Sequence, residues 1–104
     1  MTMGIGAITP FRPSGTVSIS AGVSSVATPM AGGGDSVVVT NTSPSLAYVK
    51  FGADPSVSAS TGDMPVMAND KIMLSVGSLV NYAAVVLTSG SGMLLITRGD
   101  GSFV

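Results

Sequence analysis

Carboxylates are the first side chains to consider for chemistry in this sequence. All of them belong to Asp, because the chain contains no Glu, and it contains no His either. Asp54, Asp63, Asp70 and Asp100 all lie near predicted strand ends, where oxygen-rich loops can hold calcium. Their spacing matches no recognised ligand pattern, and an acid–base pair for glycoside hydrolysis would also need a fixed separation in a cleft. We therefore interpret them as solvated turn carboxylates, with a weak metal site as the alternative, and assign no metal ligand.

Two short motifs have both a functional and a structural interpretation. Arg98-Gly99-Asp100 spells the tripeptide of some cell-adhesion ligands, but it is also what a C-terminal turn would contain, with Gly99 and Gly101 at positive φ. The run Gly32-Gly33-Gly34-Asp35 has the glycines of a phosphate loop but is followed by no Lys and no helix. We favour a structural turn for the first motif and an inter-strand loop for the second.

Aromatic and Met side chains are the remaining candidates for binding. Tyr48, Phe51 and Tyr82 could form a platform on which a sugar stacks, although aromatic residues on strands are more often part of a core. The chain has 7 Met, and Met64 and Met67 bracket Pro65-Val66 just before a predicted strand. Because Met adapts to irregular interfaces, these two residues are candidate contacts between subunits.

The residue types that are missing exclude most catalytic chemistry. Without His or Cys there is no Ser-His-Asp triad, no cysteine nucleophile, no usual zinc site and no disulfide framework. Charged residues make up only 9% of the chain and the net charge is -1, which gives no electrostatic footprint for nucleic acid. We expect a protein that is not an enzyme, has no cofactor and has no nucleic-acid partner.

The chain is apolar for its size, with 45% hydrophobic residues and a mean hydropathy of +0.60. Its longest apolar runs, such as Tyr82 to Leu87, are far shorter than the roughly 20 residues of a spanning helix, so no membrane partner is expected. Met1 to Ala7 also lacks the basic and apolar regions of a secretory signal. Burial between subunits would hide the excess apolar surface, which predicts a homo-oligomer or a part of a larger assembly.

Alternation of apolar and polar residues at a period of two is typical of strands with one face on a core. The sequence predicts strands at Thr16–Ala21, Ser36–Thr40, Leu46–Phe51, Lys71–Val76, Tyr82–Thr88 and Met93–Thr97. It also predicts a short Ser-rich strand, of the kind expected at a sheet edge, at Ser56–Ser60. The β-branched run Val37–Val39 predicts that its strand is covered on both faces. Thr61–Pro65 is predicted to be a turn, and Ser89–Gly92 to close a terminal hairpin.

Short strands at spacings near ten residues indicate an all-β fold, an antiparallel β-sandwich or jelly-roll-like barrel of about 6–8 strands. Pro10 and Pro13 limit both ladder bonding and helix formation, so residues 1–15 are predicted to be an extended N-terminal arm and residues 16–104 a single sandwich domain. The arm's apolar residues would pack on a neighbouring surface. Its candidate subunit or capsid contacts are Ile5, Ile8, Phe11 and Arg12.

Several segments resemble a group of small structural proteins of tailed bacteriophages. These are the entry segment Ile8–Pro13 and the strand-and-turn patterns at Val37–Asn41, Ala47–Gly52, Met64–Val66 and Leu94–Gly101. The resemblance covers most of the chain. It implies a virion protein that is assembled in the host cytoplasm, such as a head decoration or cement protein, without catalytic residues.

Two functional hypotheses from different classes follow. The first is a non-enzymatic virion protein that cements the capsid shell as a dimer or trimer, with the major capsid protein or other virion proteins as partners and with residues 1–14 clamping a neighbour. The second is a receptor- or carbohydrate-binding module of a phage tail or fibre, whose loops at one end of the sandwich make the contacts. Attachment to shells would favour the first hypothesis, and binding of glycans or host cells the second.

Overall fold

The computed structural model describes residues 11–77 and 80–100. These residues form strands β1 Arg12–Ala21, β2 Val26–Pro29, β3 Ser36–Asn41, β4 Ala47–Gly52, β5 Met64–Val66, β6 Lys71–Ser75, β7 Tyr82–Leu87 and β8 Gly92–Asp100. Two four-stranded antiparallel sheets result, with strand orders β1-β8-β3-β6 and β2-β7-β4-β5. The predicted all-β sandwich is confirmed.

The chain passes from one sheet to the other at nearly every connection, and only β4 and β5 are consecutive strands that pair. Eight strands in this order make a jelly roll, one of the two architectures that the sequence predicts. The predicted terminal hairpin is wrong, because β7 pairs with β2 and β4 while β8 pairs with β1 and β3. The Gly-containing link after β7 leads to the other sheet, so β8 does not fold back beside β7.

The core lies between the sheets and consists of the inward side chains that alternate along each strand. Its fully enclosed members include Ile19, Val37, Val39, Ala47, Val49, Val66, Val85, Leu94 and Ile96. Val38 points to the outer face of its sheet and is nevertheless only 6% exposed. The prediction that this strand is covered on both faces is therefore confirmed.

Before β6, four segments differ from the sequence-based expectation by more than one residue. β1 begins at Arg12 in spite of Pro13, which lies where the register shifts between Pro13 and Gly15, so residues 12–15 are strand and not arm. Met64–Val66 is the edge strand β5, although its first two residues fall in the predicted turn Thr61–Pro65, whereas Ser56–Ser60 is a loop. β2 was not predicted at all, because Val26–Pro29 is short and ends in proline.

Arg98, at one end of the sandwich, is only 2% exposed, and its guanidinium is bonded to backbone carbonyls of two inter-sheet loops. Nε donates to Gly34 O at 2.9 Å and Nη2 to Gly77 O at 3.1 Å, while Nη1 donates to Val80 O. One side chain on β8 therefore joins the loop before β3 to the loop before β7. This closes the end of the core at which β1 begins and β8 ends.

The opposite end is closed by Asn41, the last residue of β3, which has no exposed surface. Its amide nitrogen donates to the carbonyls of Ser45 at 2.8 Å, Val66 at 3.1 Å and Met67 at 3.2 Å. Its oxygen accepts from Ser43 N at 2.9 Å and Ser43 Oγ at 2.6 Å. Asn41 thus ties β3 of one sheet to β5 of the other and shapes the turn that leads into β4.

Candidate functional site

The loop between β4 and β5 folds back over the outer face of the β2-β7-β4-β5 sheet. A Cβ on Gly52 would lie 2.8 Å from Val57 Cβ, so the loop starts in tight contact with β4. It then reaches the β1–β2 loop, where Ala59 N donates to Ser25 Oγ at 2.8 Å. Ala84 of β7 faces outward, opposite Lys50, yet is fully buried. The loop therefore forms a partial third layer on this sheet.

A groove of about 680 Å³ remains between the sheet and this loop. Its sheet side is formed by the outward residues Tyr48 and Val86, which are paired across β4 and β7. Val23, at its rim, is 65% exposed. The other lining residues are Ser25, Ser58, Ala59, Ser60, Thr61, Leu87 and Thr88. The groove therefore combines one aromatic ring with five hydroxyl side chains.

Hydrogen bonds hold the walls of the groove in place. Ser60 N donates to Asp63 Oδ2 at 2.7 Å and Asp63 N donates back to Ser60 O at 3.0 Å, which closes a tight turn in the covering loop. The β1–β2 loop is attached to β7 by the bond from Leu87 N to Gly22 O at 2.8 Å. Thr88 is fixed by its backbone N, which donates to Leu46 O at 3.0 Å. The turn is therefore closed within the covering loop, whereas the β1–β2 loop and Thr88 are bonded to the sheet or to the residue directly beside it.

The hydroxyls of the groove differ in what they can still offer. Ser60 Oγ donates to Asp63 Oδ2 and Thr88 Oγ1 to Leu46 O, both at 3.3 Å, so their oxygens remain open as acceptors. Within residues 11–77 and 80–100, Ser58 Oγ, Thr61 Oγ1 and Tyr48 Oη form no hydrogen bond to protein. The groove therefore presents both donors and acceptors.

Among the residues that the structure describes, no charged side chain lines the groove. The nearby start of the covering loop contains Asp54, whose carboxylate accepts hydrogen bonds from Ser56 Oγ and, at 2.9 Å, from Ser56 N. The side-chain bond and then the backbone bond lower the pKa of Asp54, against a small opposing effect of desolvation. This carboxylate stabilises the loop conformation and is separate from the groove wall.

The three aromatic candidates for a sugar platform are not brought together. Tyr48 lines the groove, whereas Phe51 faces inward and packs on the hydrophobic core. Tyr82 is on the same outer face as Tyr48 but at the other end of the strands, opposite Gly52 and Pro29. A three-residue platform is thus contradicted, the core interpretation is confirmed for Phe51, and Tyr48 is the one aromatic residue of the three that lines the groove.

The candidate contact residues fall on two separate parts of the sandwich. Met64 is 43% exposed on edge strand β5, and Met67, just beyond it, is 63% exposed. Phe11 is half-buried and Arg12 is exposed at the start of β1, the edge strand that lies on the β2 side. The candidates Ile5 and Ile8 lie outside the described residues. β5 and β1 are at opposite edges, so these residues cannot form one continuous surface.

Arg98-Gly99-Asp100 is neither an exposed adhesion loop nor a turn. The tripeptide is the end of β8, paired with β1 on one side and, through Arg98 and Gly99, with β3 on the other. Arg98 is buried and Gly99 does not have positive φ. A Cβ on Gly99 would overlap the carbonyl of Arg12 on β1, so glycine is required there for close strand approach. Gly101 lies outside the described residues.

The acidic residues do not form a metal centre in the part of the chain that the structure describes, where no three His, Cys, Asp or Glu side chains cluster. The run Gly32–Asp35 is the link between β2 and β3, and Gly34 adopts a φ of 119° beside Gly99. The link thereby supplies the Gly34 carbonyl that accepts a hydrogen bond from Arg98.

Across residues 11–77 and 80–100, no helix has the length and apolarity needed to cross a membrane.

Sequence analysis missed the hydroxyl residues of the groove. Ser58 and Ser60 were assigned to a weak edge strand, and Ser25, Thr61 and Thr88 were not singled out. The available signal was the Ser-rich run between Pro55 and Thr61, which has too little apolar alternation for a strand.

No protein-family model, curated protein or solved structure matches this chain.

Proposed function

We propose that this chain is a non-enzymatic structural protein of a bacteriophage virion, which attaches to the capsid shell as a dimer or trimer and stabilises it. The observation that carries the proposal is the strand order β1-β8-β3-β6 and β2-β7-β4-β5, since jelly rolls of this kind recur in viral capsid proteins. The resemblance of its strand-and-turn segments to phage structural proteins supports the same function. Its low charge and apolar composition suit repeated contacts in a symmetric assembly.

The exposed Met side chains on and beside β5 support an association surface. Exposed Met is enriched in protein interfaces, and Met64 and Met67 are both exposed on one edge of the sandwich. The backbone of Met67 is held rigidly, because its carbonyl accepts from Asn41 Nδ2 at 3.2 Å and from Asp70 N at 3.2 Å. A rigid presentation lowers the entropy that is lost on association. We assign this edge to contacts between copies of the chain.

The opposite edge, where β1 begins, is the proposed contact with the shell. Phe11 and Arg12 lie there, directly after the N-terminal residues that the sequence interpretation assigns to a clamp. Two different edges allow each copy to bind its neighbours and the major capsid protein at the same time. Valency then multiplies individually weak contacts.

Light scattering and co-sedimentation with shells of the same phage prepared without this protein test the proposal. The intact protein should be a dimer or trimer that sediments with shells. A double variant, Met64→Ser with Met67→Ser, should become monomeric, whereas Met93→Ser, which removes an equally exposed Met from the outer face of β8, should not. An intact protein that is monomeric and stays in the supernatant would refute the proposed function.

A truncation tests the shell contact separately. Removing residues 1–10 leaves β1 intact, because its first paired residue is Arg12, which lies opposite Asp100. The shortened protein should keep its oligomeric state and lose attachment to shells. If it attaches as well as the full chain, the N-terminal segment is not the clamp.

A further inference from the structure

We infer that the groove beside Tyr48 is a binding site for a neutral saccharide unit. The inference rests on the groove's own residues and does not depend on the proposed virion function. Three properties carry it: an aromatic ring on the sheet side, hydroxyl groups on the loop side, and the lack of charged lining residues.

The ring of Tyr48 supplies the apolar contact. It is half-buried between Val86 of β7 and Pro65 of β5, which pair with it on either side and face the same way. A pyranose has one face of C–H groups, and an aromatic face carries the negative potential that attracts their partial positive charge. Strand neighbours on both sides limit the rotation of the ring, so stacking costs little conformational entropy.

The hydroxyls opposite the ring match the polar edge of a sugar. Each sugar hydroxyl both donates and accepts, and so does each Ser or Thr hydroxyl. Ser58 and Thr61 have both capacities open in the part of the chain that the structure describes, while Ser60 offers acceptor capacity. Ser25 Oγ accepts from Ala59 N and so can donate its proton to a ligand. The site offers convergent polar groups around one apolar wall.

Charge and size narrow the ligand class. None of the described lining residues is Lys or Arg, and the Asp63 carboxylate next to the wall already accepts from Ser60, so nothing in the groove compensates an ionised carboxylate or phosphate. Its volume of about 680 Å³ is in the usual range for small-molecule sites, and it is open along one side. One or two sugar units at the end of a longer glycan fit this space.

The groove is formed before any ligand arrives. Ala59, at the centre of the covering loop, is only 6% exposed, and the turn at Ser60–Asp63 is closed by hydrogen bonds from both sides. A preformed wall of hydroxyls avoids the cost of ordering a loop on binding. A preformed wall of this kind distinguishes the groove from an incidental crevice on the surface.

Amide-detected NMR titration of the full chain with lactose, maltose, cellobiose and chitobiose tests the inference. At least one of these neutral disaccharides should bind with millimolar or better affinity and shift the amides of Ser25, Ser58–Thr61 and Thr88. Where lactose binds, its anionic derivative sialyllactose should bind at least about tenfold more weakly. If no disaccharide shifts these amides, or if the shifts are spread over both sheets, the inference is wrong.

Variants locate the site. Tyr48→Ala should weaken binding about tenfold or more, and Tyr48→Phe, which keeps the ring, should retain most of it.

Tyr48 is half-buried, so its substitution can also affect folding, and a second variant on the exposed loop provides an independent test. Ser58→Ala with Thr61→Val should also weaken binding about tenfold. Ser18→Ala with Ser20→Ala removes two exposed hydroxyls from the outer face of β1 and is the matched control. Equal affinity in the loop variant and this control would overturn the inference.

The two proposals fail in different assays. A protein that sediments with shells but binds no disaccharide overturns only the saccharide site, and one that binds a disaccharide but ignores shells overturns only the capsid function. Neither Met64 nor Met67 is among the residues that line the groove, so their substitution should leave disaccharide binding unchanged.

Discussion

The two closed ends of the sandwich and the groove on its outer face use polar groups in opposite ways. At the ends, Arg98 and Asn41 are almost completely buried, and each binds at least three backbone carbonyls. In the groove, Ser58 and Thr61 are exposed, with no partner among the described residues. Polar groups that are both buried and satisfied hold this fold together, and polar groups left open are available to a ligand.

The comparison teaches where a substitution should change stability and where it should change binding. A buried carbonyl that loses its donor is left without a hydrogen bond and away from water. Removing an exposed hydroxyl, in contrast, only replaces its hydrogen bonds to water with hydrogen bonds among water molecules. Substitutions at the ends should therefore lower the free energy of unfolding, and substitutions in the covering loop should leave it nearly unchanged.

The largest effect is expected for Arg98→Leu. Loss of the guanidinium leaves the carbonyls of Gly34, Gly77 and Val80 without this donor, and the free energy of unfolding should fall by at least about 3 kcal/mol. Urea unfolding followed by circular dichroism measures the change. Arg12→Leu, at an exposed position, is the control and should stay within about 0.5 kcal/mol of the parent. Similar losses in both variants would show that Arg98 does not hold the end closed.

A smaller loss is expected at the other end for Asn41→Ala. The variant removes three donated and two accepted hydrogen bonds, and the free energy of unfolding should fall by about 2–3 kcal/mol. Asn41→Asp keeps the acceptor for Ser43 but directs a carboxylate at carbonyl oxygens. Its stability should therefore improve as the pH falls and the buried carboxyl is protonated. Unfolding curves at neutral and acidic pH separate the two variants, and a pH-independent Asn41→Asp would contradict this role.

The smallest effect is expected from protonation of Asp54 in the covering loop. Its pKa is lowered in the folded protein, so its contribution is fully present above the unfolded value of about 3.8 and is lost as the pH falls through the lower folded pKa. Amide resonances of residues 54–57 should shift in that acidic range while those of the core do not. Ser56→Ala, which removes the largest cause of the shift, should bring the titration closer to 3.8. An unchanged titration in this variant would refute the assigned cause.

The parts of the fold that could be predicted are those with a clear local pattern. Lys71–Ser75 and Ser36–Asn41 were predicted within one residue at either end, the first from its two-residue alternation and the second from the β-branched run Val37–Val39 between turn residues. The all-β class follows from the number of such segments. Periodicity says which residues face inward, however, and not which strands lie side by side.

The features that could not be predicted depend on contacts distant in sequence. The link between β7 and β8 has the composition of a hairpin turn, but its strands pack across the core instead of pairing. Arg98 was interpreted as a turn residue, because nothing near it in sequence reveals the carbonyls of Gly34 and Gly77. The groove exists only because the loop after β4 reaches Ser25, which is 34 residues from Ala59.

The pairing of Arg12 with Asp100 places the first and last strand residues side by side at one end of the sandwich. The groove is near the other end, where β1 ends at Ala21 and the chain passes through Val23 and Ser25. A circularly permuted chain in which a short linker joins Asp100 directly to Arg12 should therefore keep the sandwich. The Tyr48 face would then lie at the opposite end of the molecule from the new junction.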